Sequence, residues 1–332
     1  MLLIQFVDDA EQRRVGCLDE NGQGGRLVDA PSTYELAQRA IARGTTLEAE
    51  VQERLTDERF DYAALAAAGR LLPPLDHPDA AHCFATGTGL THLGSADTRD
   101  AMHQANAQQA EEHLTDSMKM FRMGLEGGKP EGEGVGVQPE WFYKGDGSTL
   151  RASGQTLEMP DFALDGGEEP ELAGLYVIGP DGTPYRVGYC LANEFSDHVT
   201  ERHNYLWLAH SKLRVCGVGP ALRVGELPAH VEGVSRIRSA DGTVRWEKPF
   251  VSGEANMSHS IANLEHHHFK YDLFRRPGDV HIHFFGTATL SVADNIEVAP
   301  GETFEIESTL FGPPLRNTLA KAPAESYRVV TL

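Results

Sequence analysis

Glu168-Glu169-Pro170-Glu171-Leu172-Ala173 is the stretch on which the reading of this chain turns. Glu169 and Glu171 stand at i and i+2. On an extended chain alternate side chains share a face, so both carboxylates point the same way. Two carboxylates on one face repel unless a cation lies between them. A hard divalent cation that prefers oxygen donors, Mg2+ or otherwise Ca2+ or Mn2+, suits such a pair. Taken alone, a solvated acidic turn is the commoner origin of the pattern, because acidic residues are mostly exposed.

The next segment changes that balance. Arg186–Leu191 (RVGYCL) is apolar and reads as a strand, and Asn193-Glu194 follows it directly. A carboxylate ending a buried strand, one hairpin after the first pair, is placed to supply a third ligand. Lys212 lies in His210-Ser211-Lys212, ahead of Gly217-Val218-Gly219-Pro220. By itself it reads as a surface lysine. Beside three carboxylates it would balance charge and could carry a proton.

After Gln138 apolar runs are short and turn signals frequent: Pro180-Asp181-Gly182, Asp241-Gly242, Pro277-Gly278-Asp279, Pro300-Gly301-Glu302. Strands are expected at Leu175–Ile178, Arg186–Leu191, Val280–Phe285 and Thr303–Ile306. Residues 1–80 read as an appended module, with a strand at Leu2–Val7 and helices at Tyr34–Arg43, Leu47–Arg54 and Tyr62–Ala68. Leu71-Leu72-Pro73-Pro74 marks a break. The division expected is an accessory domain over 1–80 and a catalytic domain over 81–332. Ala96–Phe121 reads as helix or lid, and the Gly-rich Gly124–Val137 as a mobile loop.

The chain has 332 residues, 29 basic against 49 acidic, and a formal charge of −20. That balance opposes nucleic acid as a partner, since phosphate backbones need clustered Lys and Arg. A small anionic substrate needs only a local positive charge or a bound ion. No stretch approaches the ~18 apolar residues of a membrane span. The opening MLLIQFVDDAEQRR interrupts any secretory apolar run with two acids. Cys17, Cys83, Cys190 and Cys216 match no zinc or disulfide spacing, so reduced thiols in a cytoplasmic protein are expected.

From about Ala81 to Leu319 the chain resembles the fumarylacetoacetate hydrolase superfamily. The resemblance rests on five motifs in order: Pro139–Lys144 (Pro-x-x-Phe-x-Lys), Glu169-x-Glu171-Leu172, Gly188-Tyr189 with Asn193-Glu194, Ser211-Lys212 with Gly219-Pro220, and Pro277–Val280 with Gly286-Thr287-Ala288. Within it, Glu169–Ala173, Pro139–Lys144 and Gly286–Ala288 most resemble 2-keto-3-deoxy-arabinonate dehydratases. The fold implied is α+β, a β-rich mixed β-sandwich or β-roll catalytic domain with a smaller N-terminal α/β domain. Glu169, Glu171 and Glu194 are implied as Mg2+ ligands, with Lys212 beside them and Glu140 and Thr287 flanking the substrate. Dimers or tetramers are implied too. Two positions depart from the family pattern. Glu194 stands where aspartate is usual, and Ser196-Asp197-His198-Val199 replaces Ser-Ala-Arg-Asp.

The activity implied is metal-dependent dehydration of a 2-keto-3-deoxypentonate to 2,5-dioxopentanoate. The alternative is C–C hydrolysis of a 2,4-diketo acid, releasing pyruvate, should His92 of Gly89-Leu90-Thr91-His92 reach the ion and activate water. A catalytically silent binding module is a third reading, disfavoured by the intact carboxylate set and Lys212. His281 and His283 alternate on an expected strand and read as core residues more readily than as site residues. His266–His268, on an expected helix, point apart and take no metal role.

Overall fold

The computed structural model describes residues 1–94, 115–132 and 134–332. Strand Leu2–Val7 forms where its apolar run predicts. Ser32 accepts a hydrogen bond from Glu35 N and caps helix Thr33–Arg43, which Gly44 ends in a left-handed conformation (φ +63°). Thr46 caps Leu47–Arg54 in the same way, and Tyr62–Ala67 is a third short helix. Leu71–Leu72 is more than a break. It pairs with Gln5 and Phe6 as a two-residue strand before the prolines turn the chain away.

Among the described residues a 13-stranded sheet spans the molecule. Its main path runs Leu55–Asp61, Gly24–Val28, Arg13–Leu18, Leu2–Val7, Leu222–Arg223, Pro184–Asn193, Pro170–Ile178, Val280–Phe284, Cys83–Gly89 and Glu140–Asp146. A five-stranded sheet holds Val244–Ser252, Val231–Arg238, Thr303–Glu307, Leu315–Lys321 and Leu157–Met159. The large sheet is covered on both faces. On one, Leu36, Ala37 and Val51 of the N-terminal helices share a core with Ala173, Leu175 and Val177. On the other, Leu172, Leu191 and Phe285 pack with Val231, Phe250 and Ile306 of the second sheet. Strand Pro170–Ile178 is therefore buried along its whole length. The architecture is the β-rich α+β fold expected from the sequence.

Several boundaries differ from expectation. The strand expected from Leu175 begins at Pro170, and the one expected over Arg186–Leu191 runs from Pro184 to Asn193. Pairing between the two extends both into sequence that looks turn-like in isolation. Of the Ala96–Phe121 segment, 96–114 lie outside the described residues, and the rest enters helix Asp116–Gly127. The Gly-rich segment is pinned at several points. Gly124–Gly127 closes that helix, Gly136 N donates to Asn263 Oδ1 at 2.9 Å, and Val137 O accepts from Asn263 Nδ2 at 2.9 Å. Its small residues serve close packing, since a Cβ on Gly124 would lie 2.7 Å from His259 Nε2. All four cysteines are free thiols.

Candidate metal centre

The site is built by one antiparallel hairpin. Pro170 pairs with Asn193 and Glu171 with Ala192. The pairing continues past the strand ends: Glu194 N donates to Glu169 O at 3.1 Å, and Gly167 and Ser196 form a bridge with bonds of 3.0 and 3.1 Å. Directly opposed residues of an antiparallel ladder share a face. Glu169 thus faces Glu194, and Glu171 lies two residues on from Glu169. Ligand oxygens of Glu169, Glu171 and Glu194 all lie within 4.8 Å of one another, and all three residues are buried.

Around this triad stand two lysines. Lys212, ending helix Leu208–Lys212, donates from Nζ to Glu169 Oε1 and, at 2.5 Å, to Glu194 Oε2. Its Nζ is 5.0 Å from the centroid of the Phe142 ring. Lys144 Nζ donates to Glu194 Oε1, and to Phe195 O and Lys212 O at 2.9 and 3.0 Å. Strand Glu140–Asp146 alternates, with Glu140, Phe142 and Lys144 buried and Trp141 and Tyr143 exposed. Glu140 therefore lies on the same inward face as Lys144, and its Oε2 accepts from Tyr205 OH at 2.6 Å.

Strand Val280–Phe284 delivers the opposite wall. Gly286 N donates to Glu171 Oε2 at 2.7 Å. Gly286 has φ +90°, and a Cβ there would meet Thr91 Oγ1 at 2.4 Å, so the turn requires glycine. Thr287 follows it, half-buried, its Oγ1 accepting from Thr289 N at 3.2 Å. His92 is buried near this turn. Its Nε2 lies 2.9 Å from Ser252 Oγ and its Nδ1 3.2 Å from Thr91 Oγ1. Burial pushes its imidazole down to about 3.

The electrostatics are those of crowded acids. Burial, then Glu194 and Glu169, push Glu171 well above the usual carboxylate range. Burial and Glu169 raise Glu194 to about 7 against the pull of Lys144 and Lys212. Burial acts upward on Glu169 as well, but Lys212 and His198 hold it well below the usual range. Burial opposes the charge on Lys212, yet Glu169 and Glu194 raise its pKa and keep it an ammonium. These residues fit a hard divalent cation. The three donors are carboxylates, they converge, and Glu171 is a buried acid beside two others. Ser196 Oγ and the two lysines hold the Glu194 side chain in place.

Three residues of the site carry no role in the sequence reading: Lys144, His198 and Tyr205. Lys144 had a signal, since it stands four residues after Glu140 in an alternating run. His198 Nε2 lies 3.1 Å from Glu169 Oε1, and its signal was its place in a departing motif. Tyr205 had none.

No family model matches the chain, and no curated protein does. Solved structures do. An apo 2-keto-3-deoxy-D-arabinonate dehydratase is 18 % identical with a TM-score of 0.70, covering 98 % of this chain and 100 % of that one. A structure titled as 2-keto-3-deoxy-D-arabinonate dehydratase complexed with magnesium and 2,5-dioxopentanoate matches at 18 % identity and TM-score 0.69 over the same shares of both chains. A 5-carboxymethyl-2-hydroxymuconate delta-isomerase from Mycobacterium smegmatis is 15 % identical with a TM-score of 0.58, over 97 % of this chain and 100 % of that one. The chain has the fold of the fumarylacetoacetate hydrolase superfamily. Among the described residues no helix is long and apolar enough to cross a membrane.

Proposed function

We propose that the chain is an enzyme, a divalent-metal-dependent hydro-lyase that converts a 2-keto-3-deoxypentonate to 2,5-dioxopentanoate. The observation that carries this reading is the buried Glu169–Glu171–Glu194 triad with Lys212 bonded to two of its members. The fold likeness to a dehydratase whose structure contains magnesium and 2,5-dioxopentanoate supports it.

Glu169, Glu171 and Glu194 would hold the ion, with Mg2+ favoured and Ca2+ or Mn2+ as alternatives. When bound, it would supply Lewis-acid polarisation of the 2-keto group and so acidify C3. Lys212, kept protonated by Glu169 and Glu194, can only donate. It is assigned as the acid that protonates the departing C4 hydroxyl. Glu140, anchored by Tyr205, is assigned as the base that takes the C3 proton. The C3–H and C4–O bonds break, the C3–C4 double bond forms and water leaves. Two tautomeric shifts then move the unsaturation to C5 and give the aldehyde. Thr287, next to the Gly286 contact with Glu171, is assigned to substrate positioning.

The test is incubation with Mg2+ and either 2-keto-3-deoxy-arabinonate or an acylpyruvate. An aldehyde product from the first supports the proposal. Pyruvate from the second, with the first untouched, replaces it with the C–C hydrolase. Absence of both activities in a protein that still binds Mg2+ points to the silent binding module.

A further inference from the structure

Beyond the Gly167–Ser196 bridge the chain leaves the hairpin and enters helix His198–His203, yet the first side chain of that helix reaches back to the metal triad. The pairing of Glu169 with Glu194 and of Gly167 with Ser196 has one constant register and ends there, and the His198 side chain lies between those of Asp165 and Glu169. The face of the hairpin that carries the acids thus reads Gly167, Glu169, Glu171 on one side and Ser196, Glu194 on the other. Gly167 has no side chain, and the His198 ring fills the space. A Cβ on Gly167 would lie 2.6 Å from His198 Nδ1 and 2.7 Å from Cε1. Lying there, the imidazole spans from Asp165, whose Oδ2 is 3.4 Å from Nδ1, to Glu169, whose Oε1 is 3.1 Å from Nε2. The ring is 2 % exposed. The backbone at this point is held separately by Asp197, which caps the following helix at Thr200 N and accepts from Arg214 and from Leu164 N.

We propose that His198, backed by Asp165 and seated across Gly167, is a positioning residue that fixes the Glu169 carboxylate for the divalent cation. The proposal rests on the metal reading of the triad. Tethering one carboxylate oxygen stops the group rotating about its terminal bond, so the ligand is oriented before the ion arrives. Outer contacts of this kind typically contribute about ten- to a hundred-fold in metal affinity.

The experiment is calorimetric titration of the full chain with Mg2+, comparing wild type, His198→Ala, Gly167→Ala, the double variant and His198→Gln. Near-ultraviolet circular dichroism checks each fold. Gly167→Ala keeps every polar side chain and only evicts the ring. Each single alanine variant is expected to weaken Mg2+ binding about ten- to a hundred-fold. The double variant is expected to be no weaker than the poorer single, since both remove one contact. His198→Gln is expected to recover part of the loss through its side-chain amide N–H. Wild-type affinity in either single alanine variant, or a double variant that loses the product of the two effects, overturns the assignment while leaving the metal site intact. A wild-type chain that takes up no divalent cation removes the metal reading itself, and this inference with it.

Discussion

Glu171 carries a heavy electrostatic load, since it is buried beside two other acids and, among the described residues, the Gly286 amide is its one hydrogen-bond donor. Glu171→Gln keeps shape and burial but removes the charge. It is expected to lower Mg2+ affinity by more than the about hundred-fold cost of losing an outer contact, with turnover falling in step. The melting temperature is expected to hold or rise, because a buried acid among acids is gone. Calorimetry and a thermal melt check both halves. The raised pKa of Glu171 and that of Glu194, about 7, also set a pH dependence. Carboxylates that hold protons must release them to ligate a cation. Mg2+ binding is therefore expected to tighten as pH rises through 7, and to liberate protons. Titrations in buffers of different ionisation enthalpy count them, and a pH-independent affinity would contradict the assignment. Gly286→Ala is the corresponding backbone test. Its left-handed φ and the 2.4 Å approach to Thr91 Oγ1 leave no room for a methyl group. A loss of about 1–3 kcal/mol in denaturant unfolding is expected, together with reduced turnover.

At the level of elements, the alternation of side chains made much of the site legible. It put Glu169 and Glu171 on one face before any pairing was known, and it put His281 and His283 together. The remainder depended on long-range partners. That Glu169 opposes Glu194, and that the His198 ring reaches Glu169, follows only once the 170–193 hairpin has its register, and a single-residue slip would send every acid to the other face. The start of strand Pro170–Ile178 was hidden because Glu-Pro-Glu resembles a turn; its neighbours on both sides, at Asn193 and Phe284, are what make it a strand. Helices were read more closely, since Ser32, Thr46 and Gly44 mark their ends locally.

The histidine strand carries its own prediction. His281 and His283 on Val280–Phe284 pack against His268 of helix Ile261–Phe269. His268 Nε2 lies 3.0 Å from His281 Nδ1, and the His268 and His283 rings stack at 4.6 Å. Burial pushes His281 and His283 down to about 3 and His268 well below its ordinary value. The folded chain therefore refuses protons that the unfolded chain accepts near pH 6.5. Their contribution to stability is full above that pH and declines as pH falls toward about 3. The urea midpoint is expected to drop between pH 7 and pH 5. His283→Gln is expected to flatten that drop relative to wild type, and an unchanged slope would refute the linkage.

Across the whole molecule, the first 80 residues and the acid-bearing hairpin belong to one hydrogen-bonded sheet. Leu2 and Leu3 pair with Arg223 and Leu222, and Tyr189 pairs with Arg223 from the other side. Helices Thr33–Arg43 and Leu47–Arg54 contribute Leu36, Ala37 and Val51 to the core above Ala173, Leu175 and Val177. A chain beginning at residue 81 is expected to expose that apolar face, bind a hydrophobic dye and sediment as aggregate. A soluble, cooperatively melting fragment would disprove it. The roof over the acid strand is thus supplied by the front of the chain. In synthesis the roof emerges first and the three buried carboxylates later, so the nascent polypeptide has a template waiting when its most charge-crowded strand leaves the ribosome.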